Sequence, residues 1–139
     1  MEDHVKLKTQ ESLMTQEIYQ QDPWKMMVCC IFLNQTNRTQ LDKIRLKFFR
    51  TFPTALEIVE ADSTEISEMI APLGFKNRRA ATLIRFSTEW LEKRWSEPIE
   101  LHGIGKYGQD SWEIFKKGNL DVEPTDGVLK KYLKNIKLL

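Results

Sequence analysis

Apolar residues recur at helical spacing along almost the whole chain, and no segment alternates with period two for long enough to form a strand. Trp24, Met27, Val28 and Ile31 follow i, i+3, i+4, i+7 behind Asp22, suited to an N-cap, and Pro23, suited to the first helical position. Leu41, Ile44 and Phe48 continue the pattern in a second helix, and a short one after Pro53 covers Ala55 to Glu60. "DSTE" offers a capping box of Asp62 and Glu65 ahead of Ile66, Met69 and Ile70, and "PLGF" ends that helix at Gly74. Asn77 to Trp95 is a long helix with Ala80, Ile84 and Leu91 on one face, closed by Pro98. A further helix runs roughly from Gly105 to Phe115, and the last, after Thr125 and Asp126, carries Leu129, Tyr132, Leu133 and Ile136. The expected class is all-α.

At 139 residues the chain is long enough for one domain with a real core, so a single domain over 1–139 is expected, with disorder over roughly the first fifteen, polar residues. The N-terminus "MEDHVKLKTQ" has no apolar h-region and no apolar run is long enough to cross a bilayer, so neither secretion nor membrane insertion is expected. Cys29 and Cys30 are adjacent within "MMVCCIFL", where they read as small buried hydrophobes, which fits a reducing intracellular compartment. The net charge of +1 does not point to nucleic acid, and charge alone favours ordinary solvated helix faces.

Two stretches carry chemistry. "LHGIGKYGQDS" lies between two helices, and Gly103 and Gly105 supply backbone freedom so that N–H groups at the second helix's start can point outward together. A helix-hairpin-helix built this way suits a phosphate. A P-loop is excluded because "GKY" lacks the hydroxyl and no strand precedes it, and a dinucleotide fingerprint fails for want of a parallel sheet. The alternative is a glycine-rich turn without a ligand. Downstream, in "DVEPTDGVLKKYL", Asp126 sits at the N-cap of the last helix, where capping is the commonest role of an aspartate.

"QDPWKMMVCCIFLNQT", "APLGFKNRRA", "FSTEWLEKRWSEPIELHGIGKYGQDSWEIF" and "VEPTDGVLKKY" together resemble the mismatch-specific thymine and uracil glycosylase domain of methyl-CpG-binding-domain repair proteins, in order from about Gln16 to Tyr132. The resemblance implies the helix-hairpin-helix DNA glycosylase fold, two small helical subdomains flanking a DNA-binding cleft. It implies a monofunctional DNA glycosylase that hydrolyses the N-glycosidic bond of thymine or uracil in G·T or G·U mismatches, in base excision repair of deaminated 5-methylcytosine or cytosine. Partner and place follow: mismatched double-stranded DNA, a monomer, the nucleus. Carried over residue by residue, Asp126 is the catalytic carboxylate. Tyr107 stands where bifunctional relatives have a Schiff-base lysine, so no amine nucleophile is expected there, and Tyr107 lines the base pocket with Gln16. Gln35 and Phe75 match the two loops that enter the helix from the minor groove, and the related domain has arginine and leucine at these places. The Leu73 backbone faces the orphaned guanine, while His102, Gly103, Ile104, Gly105 and Lys106 hold phosphate, assisted by Arg78 and Arg79. Histidine and lysine of the relative are replaced by Gly127 and Val128, removing phosphate contacts.

No cofactor is expected. The four-cysteine signature of an iron-sulfur cluster is missing, and the one candidate metal is an alkali cation, K⁺ or Na⁺, on the carbonyls of Ile99, Leu101 and Ile104. An adenine or oxidised-pyrimidine glycosylase is disfavoured by the missing cluster and by Tyr107. A non-catalytic helix-hairpin-helix DNA-binding module is the competing reading, against which stands Asp126, a carboxylate such a module has no use for beside phosphates.

Overall fold

The structure, a computed structural model, describes residues 13–138. Among them are nine α-helices and no strand: α1 (Thr15–Tyr19), α2 (Pro23–Phe32), α3 (Arg38–Asp42), α4 (Arg45–Thr51), α5 (Ala55–Glu60), α6 (Ser63–Met69), α7 (Lys76–Glu92), α8 (Lys106–Ser111) and α9 (Gly127–Lys137). The disorder expected of the N-terminus falls mostly on residues outside this range, and Thr15 already opens α1.

α2 sits at the centre. Asp22 caps it by accepting from the Lys25 amide at 3.2 Å, Pro23 takes the first turn, and eight of its ten residues are buried. A helix that is apolar all round has to be enclosed, and α2 packs on α1, α7 and α8. α5 and α6 pack on α7 to one side. On the other, α8 packs on α2, and the Ile104 side chain of the turn folds over α8 where Gly108 has no side chain: a Cβ there would lie 2.9 Å from Ile104 Cγ2. α9 adds Leu129 and Leu133 to the same core and stacks Tyr132 on Phe115, ring centroids 4.9 Å apart.

The structure corrects several details. The second helix is two, since Ile44 at φ −120 leaves the helix and its amide takes the tighter i→i+3 bond to Leu41; Leu41, Ile44 and Phe48 are nevertheless all buried, as their spacing requires. The turn also seats Arg45, buried between Asp42 at 2.8 Å and the Tyr19 hydroxyl at 3.0 Å. Asp62 caps α6 through the Thr64 amide at 2.9 Å rather than through a reciprocal box with Glu65. α7 stops at Glu92, because the chain turns back to bring Trp95 onto Trp90 and Trp112, with the Trp95 indole N–H donating to the Trp90 carbonyl. Its buried face is Ala80, Leu83 and Phe86; Ile84 is half-buried and Leu91 exposed, displaced by one position because α5, α6 and α2 wrap α7 from several directions. Beyond Ser111 the helix of the hairpin widens to i→i+5 bonding over Trp112–Lys116, which buries Trp112, Ile114 and Phe115.

Candidate functional site

α1, the loop after α2, the turn before α8 and the start of α9 meet around an open cleft of about 660 Å³. Gln16, Gln35, Tyr107 and Asp126, distant in sequence, all line it.

Gln16 is 1% exposed on α1. Its Nε2 donates to the Tyr107 hydroxyl at 2.7 Å and to Ser111 Oγ at 3.0 Å, and Ser111 in turn donates to the Tyr107 carbonyl at 2.9 Å. Both amide hydrogens of Gln16 are thereby spent, and Oε1 is what it has left to offer, an acceptor. Tyr107 accepts from Gln16 and so keeps its own proton to donate. Burial pushes the Tyr107 phenol above its ordinary range, and the nearby Asp126 adds to the push, so it stays protonated in neutral solution. Cys30 forms part of the wall; burial pushes its thiol up to about 12, which leaves it uncharged and unsuited to attack.

Asp126 caps α9: its Oδ2 accepts from the Leu129 amide at 2.9 Å, which leaves Oδ1 for other work. It is half-buried at the cleft wall, at the helix end where the backbone dipoles favour negative charge.

Gln35 and Phe75 share an unusual backbone. They are the two non-glycine residues with positive φ among those described, +62 and +48, each costing about 1–3 kcal/mol that the surrounding structure has to hold in place. They flank a small cavity of about 120 Å³ with Arg78, Thr82 and Gly103. Phe75 is 62% exposed, unusual for a phenylalanine, and the Arg78 guanidinium lies 5.6 Å from its ring centroid. Leu73 is buried with its amide bonded to the Ile70 carbonyl at 2.9 Å. Arg79 is corrected from a surface cation to a buried brace, because its Nε donates to the Gly74 carbonyl at 2.8 Å and fixes the turn that presents Phe75.

In the hairpin, the His102 amide donates to Glu89 Oε1 at 2.8 Å and the Ile104 amide to the Leu101 carbonyl at 3.2 Å. These contacts hold the turn to α7 and to itself. They also place the Leu101 carbonyl, one of the three expected around an alkali cation, in an internal bond. Gly103 takes φ +89, and Gly105 caps α8 with no side chain, so the first-turn amides of α8 face outward without an internal acceptor. The Lys106 ammonium is engaged, donating to Asp110 Oδ2 at 2.9 Å and to the Glu123 carbonyl at 3.1 Å. Among the described residues no group of three or more His, Cys, Asp or Glu is placed to hold a metal ion, and no helix is long and apolar enough to cross a membrane.

Sequence reasoning missed Ser111 and Cys30. Ser111 lies one helical turn after Tyr107, a spacing that hints at a shared face; nothing in "VCCI" distinguishes the cysteine that reaches the cleft.

Comparison with known proteins gives a consistent picture. The profile of "HhH-GPD superfamily base excision DNA repair protein" matches residues 28–139. The chain is 36% identical over 118 residues to the methyl-CpG-binding domain protein 4-like protein of Arabidopsis thaliana, covering 84% of this chain and 26% of that protein. It is 32% identical over 94 residues to the thymine/uracil-DNA glycosylase of Pyrobaculum aerophilum, covering 62% of this chain and 40% of that one. The chain thus spans well under half the length of either relative. The solved structure of a thermostable thymine-DNA glycosylase superposes with a TM-score of 0.66 at 25% identity, over 70% of this chain and 48% of that one.

Proposed function

Because the chain belongs to the HhH-GPD superfamily of base excision DNA repair proteins, we propose that it is a monofunctional DNA glycosylase removing thymine or uracil mispaired with guanine. The observation that carries the proposal is the meeting of Asp126, Tyr107 and Gln16 in one cleft beside the hairpin turn. A non-catalytic DNA-binding module does not account for a carboxylate and a buried donor–acceptor pair on the same wall.

The geometry supports a division of labour. An extruded pyrimidine presents carbonyl oxygens and an N3–H; the Tyr107 hydroxyl is a donor for a carbonyl and Gln16 Oε1 an acceptor for N3–H. As the C1′–N1 bond breaks, its electron pair leaves with the base and positive charge builds on the sugar. The Tyr107 donor stabilises the first and the Asp126 carboxylate the second. Asp126 also orients and deprotonates the water whose oxygen forms the new bond to C1′. Outward amides at the start of α8 hold a phosphate of the same strand. Gln35 and Phe75, pinned in their left-handed conformations, enter the duplex to occupy the gap. The test is alkali-revealed cleavage of duplexes carrying G·T, G·U, A·T and A·C after incubation with the protein: excision from the first two alone supports the proposal, and none from any of them removes it.

The product should be an intact strand with an abasic site, since Tyr107 offers no amine to attack the sugar. Borohydride trapping should therefore give no substantial covalent protein–DNA adduct, and an adduct in high yield would contradict the assignment.

Gln35→Ala should weaken capture of the extruded state while sparing the chemistry. The plug offsets part of an unstacking cost of about a few kcal/mol but does not touch the glycosidic bond. Excision from G·T should fall more than excision of uracil from single-stranded DNA; an equal loss on both would show that Gln35 is not a plug.

A further inference from the structure

Lys106 stands at the start of the hairpin helix, where a cation invites assignment as a phosphate ligand, yet its geometry describes another task. Its ammonium bridges Asp110 on α8 and the Glu123 carbonyl in the segment that leads to Asp126. Asp110 is buried, its side chain 9% exposed, so Lys106 is held by a carboxylate that the protein has taken out of water. Glu123 lies three residues before Asp126. Among the described residues, the Lys106 bond is the one hydrogen bond that joins residues 120–125 to another element. Pro124 is buried, and the next hydrogen-bonded point is the Asp126 cap itself.

We propose that Lys106 and Asp110 form a latch that sets the position of Asp126 relative to the hairpin: Lys106 is a positioning residue for the carboxylate, not a phosphate ligand. The inference rests on the reading of Asp126 as the reacting group. Buried Asp110 fixes the ammonium, the ammonium fixes the Glu123 carbonyl, and the short run through Pro124 and Thr125 transmits that register to the cap of α9. A displacement of about 1 Å at a reacting group costs on the order of a hundredfold in rate, so loosening this strap has a kinetic signature out of proportion to its strength as a surface contact.

The two assignments of Lys106 predict opposite patterns. For a latch, Lys106→Gln and Asp110→Asn each lower single-turnover excision from a G·T duplex by about tenfold to a hundredfold at saturating protein. The double variant falls no further than either single one, because both remove the same link. Affinity for the duplex and its salt dependence stay unchanged, and Lys106→Arg recovers most of the rate. For a phosphate ligand, Lys106→Gln weakens binding and lowers the slope of log affinity against log salt by about 0.9, while Asp110→Asn leaves excision intact; that outcome overturns the proposal. Should Lys106→Gln fail to fold with the Asp110 carboxylate unpaired, the double variant removes the orphaned charge and carries the test. A second readout separates this inference from the proposed activity. In the free protein the Leu129 amide, which donates to Asp126, should exchange its hydrogen at least about tenfold faster in Asp110→Asn. Unchanged exchange overturns the latch, whereas a wild-type protein that excises nothing while Asp110→Asn speeds exchange overturns only the activity.

Discussion

Asp126→Asn should retain the fold and mismatch binding while losing about a hundredfold or more in single-turnover excision. Asparagine is as good an N-cap as aspartate, so the bond from the Leu129 amide survives with the amide oxygen as acceptor, and thermal stability should change little. What the substitution removes is charge. A neutral amide does not balance an oxocarbenium ion and does not take a proton from water, and in a cleft covered by the bound duplex such a loss raises the barrier by several kcal/mol. Excision on a G·T duplex, measured beside the melting temperature of each protein, separates the roles. A folded Asp126→Asn protein with near wild-type excision would confine Asp126 to capping and leave the DNA-binding module as the better account.

Gly103→Ala should destabilise the protein by about 2–4 kcal/mol. Two costs add: a backbone at φ +89, which L residues rarely adopt, and a methyl 2.9 Å from Thr82 Cγ2 and 3.5 Å from Ile31 Cδ1, both on stiff β-branched side chains. Gly105→Ala supplies the contrast. With φ −112 and nothing within 4 Å of the added Cβ, it should cost within about 1 kcal/mol, chiefly as a poorer N-cap. Its methyl instead protrudes beside the first amides of α8, the phosphate site proposed above, so its effect should appear in duplex affinity. Thermal unfolding and duplex binding of both variants check the pair. Equal melting temperatures would show that the turn relaxes around Gly103.

The helices whose apolar spacing is backed by a local cap were legible in the sequence: α2 behind Asp22 and Pro23, and α9 behind Asp126 with Leu129 and Leu133 inward. The break at Ile44 was not, because the apolar spacing of the same three residues suits a continuous helix as well, and the Tyr19 hydroxyl that Arg45 meets beyond the break is distant in sequence. The end of α7 depends likewise on three tryptophans gathered from separate segments. At the site, Gln16, Tyr107 and Asp126 were named through the family resemblance, and neither composition nor spacing alone brings an N-terminal glutamine to the hairpin. Arg79 and Lys106 were expected on DNA as cations of the hairpin and the neighbouring helix; the carbonyls and the carboxylate that tertiary packing brings to them are not visible in the sequence.

The enclosure of α2 has a mechanical corollary. It touches α1 and α8, which border the cleft, and also α7, within one continuous apolar body. Elements moulded onto a common spine move together, since separating them would expose close-packed side chains such as Met27, Val28 and Phe32, none of which touches solvent. Pliancy therefore has to come from the duplex. A mispair bends and unstacks more cheaply than a Watson–Crick pair, so under the activity proposed above a stiff protein of this kind would screen base pairs by how readily they deform before any atom of the base is inspected.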